Sequence, residues 1–147
     1  MRLDGAARKA RFGIDYERIE SELRLAFAQN QILSQSFPRE VAAVLDLIHG
    51  RPFEPSLNVN AVKRDCRLRN NNISTRFRTF VGLGIREYIE QLRLEAARHL
   101  LERCDIDIYL IALVVGYEHQ ETFCRAFHRR FGVAPSEHRG RIANPNG

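Results

Sequence analysis

The chain has 147 residues, of which 44% are hydrophobic and 28% charged, the make-up of about one globular domain and not of a disordered chain. Its 23 Lys and Arg outnumber 18 Asp and Glu, and since only Lys9 and Lys63 are lysines the net charge of +5 is carried by arginine; such a surface suits phosphate-bearing partners, though plain solvation accounts for +5 as well. No apolar run reaches the ~18–20 residues of a membrane span, Met1 to Phe12 lacks the apolar stretch of a signal peptide, and Cys66, Cys104 and Cys124 neither pair up in number nor sit at CxxC spacing, so a membrane span, a signal peptide, a disulfide framework and a cysteine-rich zinc site are not expected and reduced cytosol is the simplest compartment.

Residues 1–13 show no period. From Ile14 to Leu33 a helical stripe places Ile19, Leu23 and Phe27 at i, i+4 and i+8, with Asp15, Glu17, Glu20 and Glu22 in the early turns, where the helix dipole favours negative charge. Ser36-Phe37-Pro38 marks the next start, Ser36 near the cap and Pro38 inside the first turn, and Val41, Val44, Leu45 and Ile48 form the buried face. Asn58 caps a short helix to about Cys66, with Val62 and Cys66 inward. Asn70 or Asn71 caps another, with Ile73, Phe77 and Phe80 inward, until Gly82 and Gly84 break it. The longest helix runs from about Ile85 to Glu102. Asp105 or Asp107 caps a helix over Ile108–Val115; its apolar run also fits a buried strand, but the Asp-rich entry and the Gly116 exit favour a helix. A helix from about Gln120 to Phe131 carries Phe123, Phe127 and Phe131 at strict i+4 spacing, Gly132 stops it, and Pro135 starts a last short turn.

Two stretches repeat. Ile73, Phe77, Gly82 and Tyr88 fall at the same offsets as Phe123, Phe127, Gly132 and His138, and each set follows a short helix and a tight turn. That is helix-turn-helix twice, joined by one long helix. Any all-α bundle with phenylalanine stripes gives a similar pattern, so the outer faces carry the argument. Asn71, Asn72, Ser74, Thr75 and Arg78 face outward on one second helix, and Gln120, Glu121, Thr122, Arg125 and Arg129 on the other. Arg pairs with guanine, Asn and Gln with adenine, Glu with the cytosine amino group, and Thr touches the thymine methyl. They cluster at the helix N-terminus, the end that enters a major groove.

From about Phe37 to Arg141 the chain resembles the DNA-binding domain of the AraC/XylS family of bacterial transcription regulators. The resemblance rests on Asp107-Ile108-Tyr109-Leu110-Ile111-Ala112 through Gly116-Tyr117, on Gln120 through Phe131-Gly132-Val133-Ala134-Pro135, and on the linker stretch from Tyr88-Ile89 to Leu100-Leu101. It implies an all-α fold: two helix-turn-helix subdomains joined by a long linker helix, preceded by an extra N-terminal helix. The expected organisation is an N-terminal segment over 1–36, the DNA-binding domain over 37–141 and a tail over 142–147. It further implies recognition helices at Asn71–Phe80 and Gln120–Arg130 in successive major grooves. Bases are then read by Asn71, Ser74, Thr75, Gln120, Glu121, Thr122 and Arg125, and phosphates are held by Arg67, Arg69, Arg78 and Arg129.

The first unit departs from the family pattern at Arg67, where a small turn residue is usual, at Arg69 in place of a Ser cap, and at Thr75 in place of an Arg. Specificity is therefore expected to lean on the second helix, although in the family the first helix often carries the sharper specificity. His138 stands where another ring residue is usual, before Arg139.

The function expected is a sequence-specific DNA-binding transcription regulator. The alternative is a modulator that pairs with a larger regulator through the Ile19, Leu23 and Phe27 face, since residues 1–36 are too short for a sensory domain. The expected partners are double-stranded DNA and RNA polymerase, with homo- or hetero-association through residues 14–33 and no membrane. Neither metal nor cofactor is expected: His119 and His128 are nine apart, and Gly82-x-Gly84 lacks the following Lys-Ser/Thr of a phosphate loop. Cys66 and Cys124 read as small buried residues. No catalytic residue is expected. DNA-repair methyltransferases that carry this domain need an acceptor cysteine cluster that this chain lacks. On the linker, Glu90 near Arg86 and Arg93, and Glu95 near Arg98, read as a solvated face.

Overall fold

The computed structural model describes residues 18–19, 21–23, 36–67, 72–103 and 106–144. Among them the chain is helical and no strand occurs. The helices are α1 (Arg39–Gly50), α2 (Val59–Asp65), α3 (Ile73–Val81), α4 (Ile85–Leu101), α5 (Ile108–Val114), α6 (Gln120–Phe131) and α7 (Pro135–Ala143). Residues 18–19 and 21–23 are also helical. The described residues fall into two compact units: one takes those up to Leu23 together with those from Arg93 onward, the other those between.

In the unit ending at Leu92, α1 supplies the buried Val41, Val44, Leu45 and Ile48, and Val62, Ile73, Phe77, Ile85 and Ile89 close the core around them. Asn58 caps α2 by accepting from the Ala61 N–H. That satisfies one of the donors a helix start leaves unpaired. Phe77 is fully buried with the Tyr88 ring edge-on at 5.7 Å. His49 lies against Tyr88 too, its Nε2 2.6 Å from the hydroxyl, while its buried Nδ1 has no hydrogen-bond partner among the described residues. Burial lowers the His49 pKa against the raising pull of Asp46.

In the other unit, Asp107 caps α5 by accepting from the Tyr109 N–H, and Ile111, Ala112, Leu113 and Val114 are buried. The run that also fitted a strand is thus a helix, ended by Gly116 at φ 109°. Phe123 and Phe127 are fully buried, and Phe127 packs against Phe131 at 4.6 Å and edge-on to His138 at 5.6 Å. His138 therefore closes this core as Tyr88 closes the other. Arg139 donates to the carbonyl of Leu101, an acceptor at the end of α4, and to that of Arg103 just beyond it. Ile19 and Leu23 are buried in this unit, and Glu22 pairs with Arg103. Phe27 lies outside the described residues.

Several expectations need correction. The helix expected to start at Ser36 begins instead at Arg39, with Pro38 in extended backbone at the cap position and its carbonyl accepting from Ala42. The described part of α3 begins at Ile73 and not at Asn71, and Asn72 before it makes no side-chain cap. Phe80 is 48% exposed and so does not belong to the inner face. Cys66 and Cys124 are half-buried and not enclosed. The last short turn is a nine-residue helix, α7, because Pro135 sits in its first turn, where a missing N–H costs nothing.

Candidate nucleic-acid interface

The α5–α6 hairpin is built by its turn. Gly116 takes a left-handed conformation that a side chain opposes, and the Tyr117 N–H reaches back to the Ala112 carbonyl at 2.9 Å. Tyr117 then packs its ring 5.5 Å from Phe123, which fixes where α6 starts. On α6, Phe123, Ala126 and Phe127 face inward. At 3.6 residues per turn this turns Glu121, Thr122, Arg125 and Arg129 to the opposite side, with Gln120 at the start of the helix. All five are exposed. Among the described residues Arg125 has no acidic partner, so its guanidinium stands unengaged on the outer face. His119 at the cap position makes no side-chain cap, which leaves the first-turn N–H groups open to an external acceptor. Tyr109, Glu118, His119, Gln120, Glu121 and Cys124 line an open depression at this end of the helix.

The α2–α3 hairpin has the same plan with a different turn. Arg67 occupies the position of Gly116, is exposed, and adopts φ 54° although it carries a side chain. Ile73 and Phe77 face inward, and Thr75 and Arg78 face outward with Ser74 half-buried beside them. Its arginines are engaged: Arg76 with Glu40 of α1 and Arg78 with Glu87 of α4, each at 3.2 Å. Gly84 makes room for the second pair, since a Cβ there would stand 2.8 Å from the Arg78 Nη2. Exposed pairs of this kind contribute about 0–1 kcal/mol. Their effect is to occupy two cations that the sequence leaves available for phosphates.

Of the expected site residues, Gln120, Glu121, Thr122, Arg125 and Arg129 thus lie together on α6, and Ser74, Thr75 and Arg78 on α3. Asn71 and Arg69 lie outside the described residues. The sequence reading missed Glu40 and Glu87, which lie 36 and 9 residues from the arginines they hold. It also missed Glu95 as a partner of Arg130, 35 residues away.

Among the described residues no group of three or more His, Cys, Asp or Glu is placed to hold a metal. Burial pushes the Cys124 thiol up, only partly offset by a hydrogen bond to Gln120, and burial beside Asp65 pushes Cys66 up. Thiols shifted this way are poorer nucleophiles. Arg51 and then Arg64 hold the Asp65 carboxyl below its usual range by hydrogen bonds. No helix among the described residues is long and apolar enough to cross a membrane.

A family profile described as a helix-turn-helix domain matches residues 66–141. The Msm operon regulatory protein of Streptococcus mutans is 34% identical over 104 residues, 71% of this chain and 37% of that protein. The regulatory protein SoxS of Salmonella typhimurium is 35% identical over 90 residues, 61% of this chain and 84% of SoxS. The chain thus spans little more than a third of the Msm protein's length and most of SoxS. Among solved structures, the DNA-binding domain of AdpA, the global transcriptional factor, in complex with a target DNA, shares the fold with a TM-score of 0.64 at 21% identity, over 75% of this chain and 100% of that one.

Proposed function

This chain belongs to the AraC-type helix-turn-helix family, and from that premise we propose that it is a sequence-specific DNA-binding regulator of transcription. Its two recognition helices, α3 and α6, read successive major grooves of one duplex. The observation that carries the reading is the outer row of α6: Gln120, Glu121, Thr122 and Arg125, which has no acidic partner among the described residues, at the end of the helix that enters a groove. Ser74 and Thr75 of α3 read bases, together with Asn71. Arg67, Arg69, Arg78 and Arg129 meet phosphates, and Arg78 must exchange Glu87 for its phosphate. The chain works in the cytoplasm as a binding protein and not as an enzyme, with double-stranded DNA and RNA polymerase as partners. Burial of Ile19 and Leu23 in their own unit favours this reading over a modulator that pairs through that face.

The test is selection of bound duplexes from a random pool at two salt concentrations. A site of two blocks about 10 base pairs apart is expected. Binding should weaken steeply with salt, because each phosphate contact releases condensed counterions. Salt-sensitive binding with no enriched sequence would overturn the proposal.

A further inference from the structure

Glu95 lies on α4, a helix whose outer face reads in sequence as a row of solvated ion pairs. In the structure it does more than pair locally. One carboxylate oxygen accepts from Arg98, one turn along α4, at 2.6 Å, and the other accepts from Arg130 of α6 at 3.2 Å. The two guanidinium carbons stand 5.4 and 5.5 Å from the centroid of the Phe131 ring. That ring itself packs, tilted, against the buried Phe127 at 4.6 Å. The last turn of α6 is therefore held to α4 by one carboxylate, two cations and the ring beside them. Arg130 is turned toward α4, away from the row that carries Arg125.

We propose that Glu95 is a positioning residue for DNA reading: it fixes the tilt of α6 through Arg130 and so sets where Arg125 and the residues at the helix start meet the base edges. The inference rests on the DNA-reading function proposed above. Its physical basis is leverage. A helix rises about 1.5 Å per residue, so a pivot of roughly 10° about Arg130 moves Arg125 by about 1 Å and the start of α6 by about 3 Å. Recognition geometry tolerates only about 0.5 Å. The clamp adds little to stability, because each pair in it is partly exposed. Its contribution lies in orientation.

The experiment measures the affinity of the full chain for its selected duplex and for a scrambled duplex of equal length, in wild type, Glu95→Ala, Arg130→Ala and the double variant, with a thermal midpoint for each. The ratio of the two affinities is read because the single substitutions change net charge in opposite directions. Each single variant should lose about three- to tenfold in that ratio, and the double variant no more than either single, since both remove one link. Thermal midpoints should stay close to wild type. Glu95→Gln keeps an acceptor oxygen without the charge and should fall between, which retains a readout if Glu95→Ala folds poorly. A wild-type ratio in Glu95→Ala and Glu95→Gln, or losses that multiply in the double variant, overturns the clamp alone. A wild type that does not prefer its selected duplex overturns the DNA-reading proposal, and the clamp with it.

Discussion

At the turn, the first helix-turn-helix unit places Arg67 at φ 54° where the second places Gly116 at φ 109°. At the recognition helix, α3 has its arginines tied to Glu40 and Glu87, while on α6 Arg125 has no acidic partner among the described residues and Arg130 is tied down instead. At the helix end, the position that holds Arg130 in α6 is occupied in α3 by the exposed Phe80. The capping glycines, the enclosed phenylalanine and the ring edge-on to it are the same in both. A duplicated scaffold thus keeps what closes its core and varies what faces outward. The second unit has the better turn and the freer reading surface.

The largest effect should come from the shared part. Phe127→Ala and Phe77→Ala each empty a fully buried ring site and should cost about 3–5 kcal/mol, with Phe127 toward the upper end because its ring meets three others. Chemical denaturation measures both, and a cheaper Phe127→Ala would break the ranking of the two cores. Next, Arg125→Ala should weaken binding to the selected duplex by about 1–3 kcal/mol and relax preference at one base pair. Thr75→Ala, at the matching position of α3, should cost less; competition binding across single-base variants of the site decides whether the reading is as unequal as the side chains.

The turns come third. Gly116→Ala places a side chain in the left-handed region and should destabilise by about 1–2 kcal/mol, whereas Arg67→Gly should relieve a cost of up to about that size. A glycine that destabilises at 67 would show that the arginine side chain is bound there. The smallest effect is a pH dependence confined to the first unit. The folded pKa of His49 is depressed below its unfolded value near 6.5, so the neutral ring is favoured by folding. The unfolded chain takes up the proton first as pH drops, and stability falls below about pH 6.5 toward the folded pKa. Thermal midpoints of wild type and His49→Gln between pH 7.5 and 5.5 should diverge, with wild type losing more.

Much of this architecture is legible in the sequence because it is local. Asn58, Asp107, Gly82 and Gly132 act within one turn of where they stand, and the spacing of Ile73, Phe77, Phe123 and Phe127 names the buried faces directly. Phe80 was misplaced because i+3 from Phe77 looks inward on a helical wheel. The repeat held the correcting signal, for it aligns Phe80 with Arg130, a surface residue. The row on α6 was readable because its polar side chains share one face. The pairs of Arg76, Arg78 and Arg130 were not, since a carboxylate three or four residues away is visible in a sequence and one brought close by packing is not.

The two units also differ in how the chain supplies them. The first draws on one continuous stretch ending at Leu92, whereas the second joins Glu22 to Arg103 across 81 residues and Arg139 to the end of α4 across 36 and 38. Closing distant contacts is slow, and a chain emerging from the ribosome presents its beginning first. The continuous unit can complete its core while synthesis proceeds. The second joins residues up to Leu23 with those from Arg93 onward, so the unit that carries α6 is expected to be the last to become native.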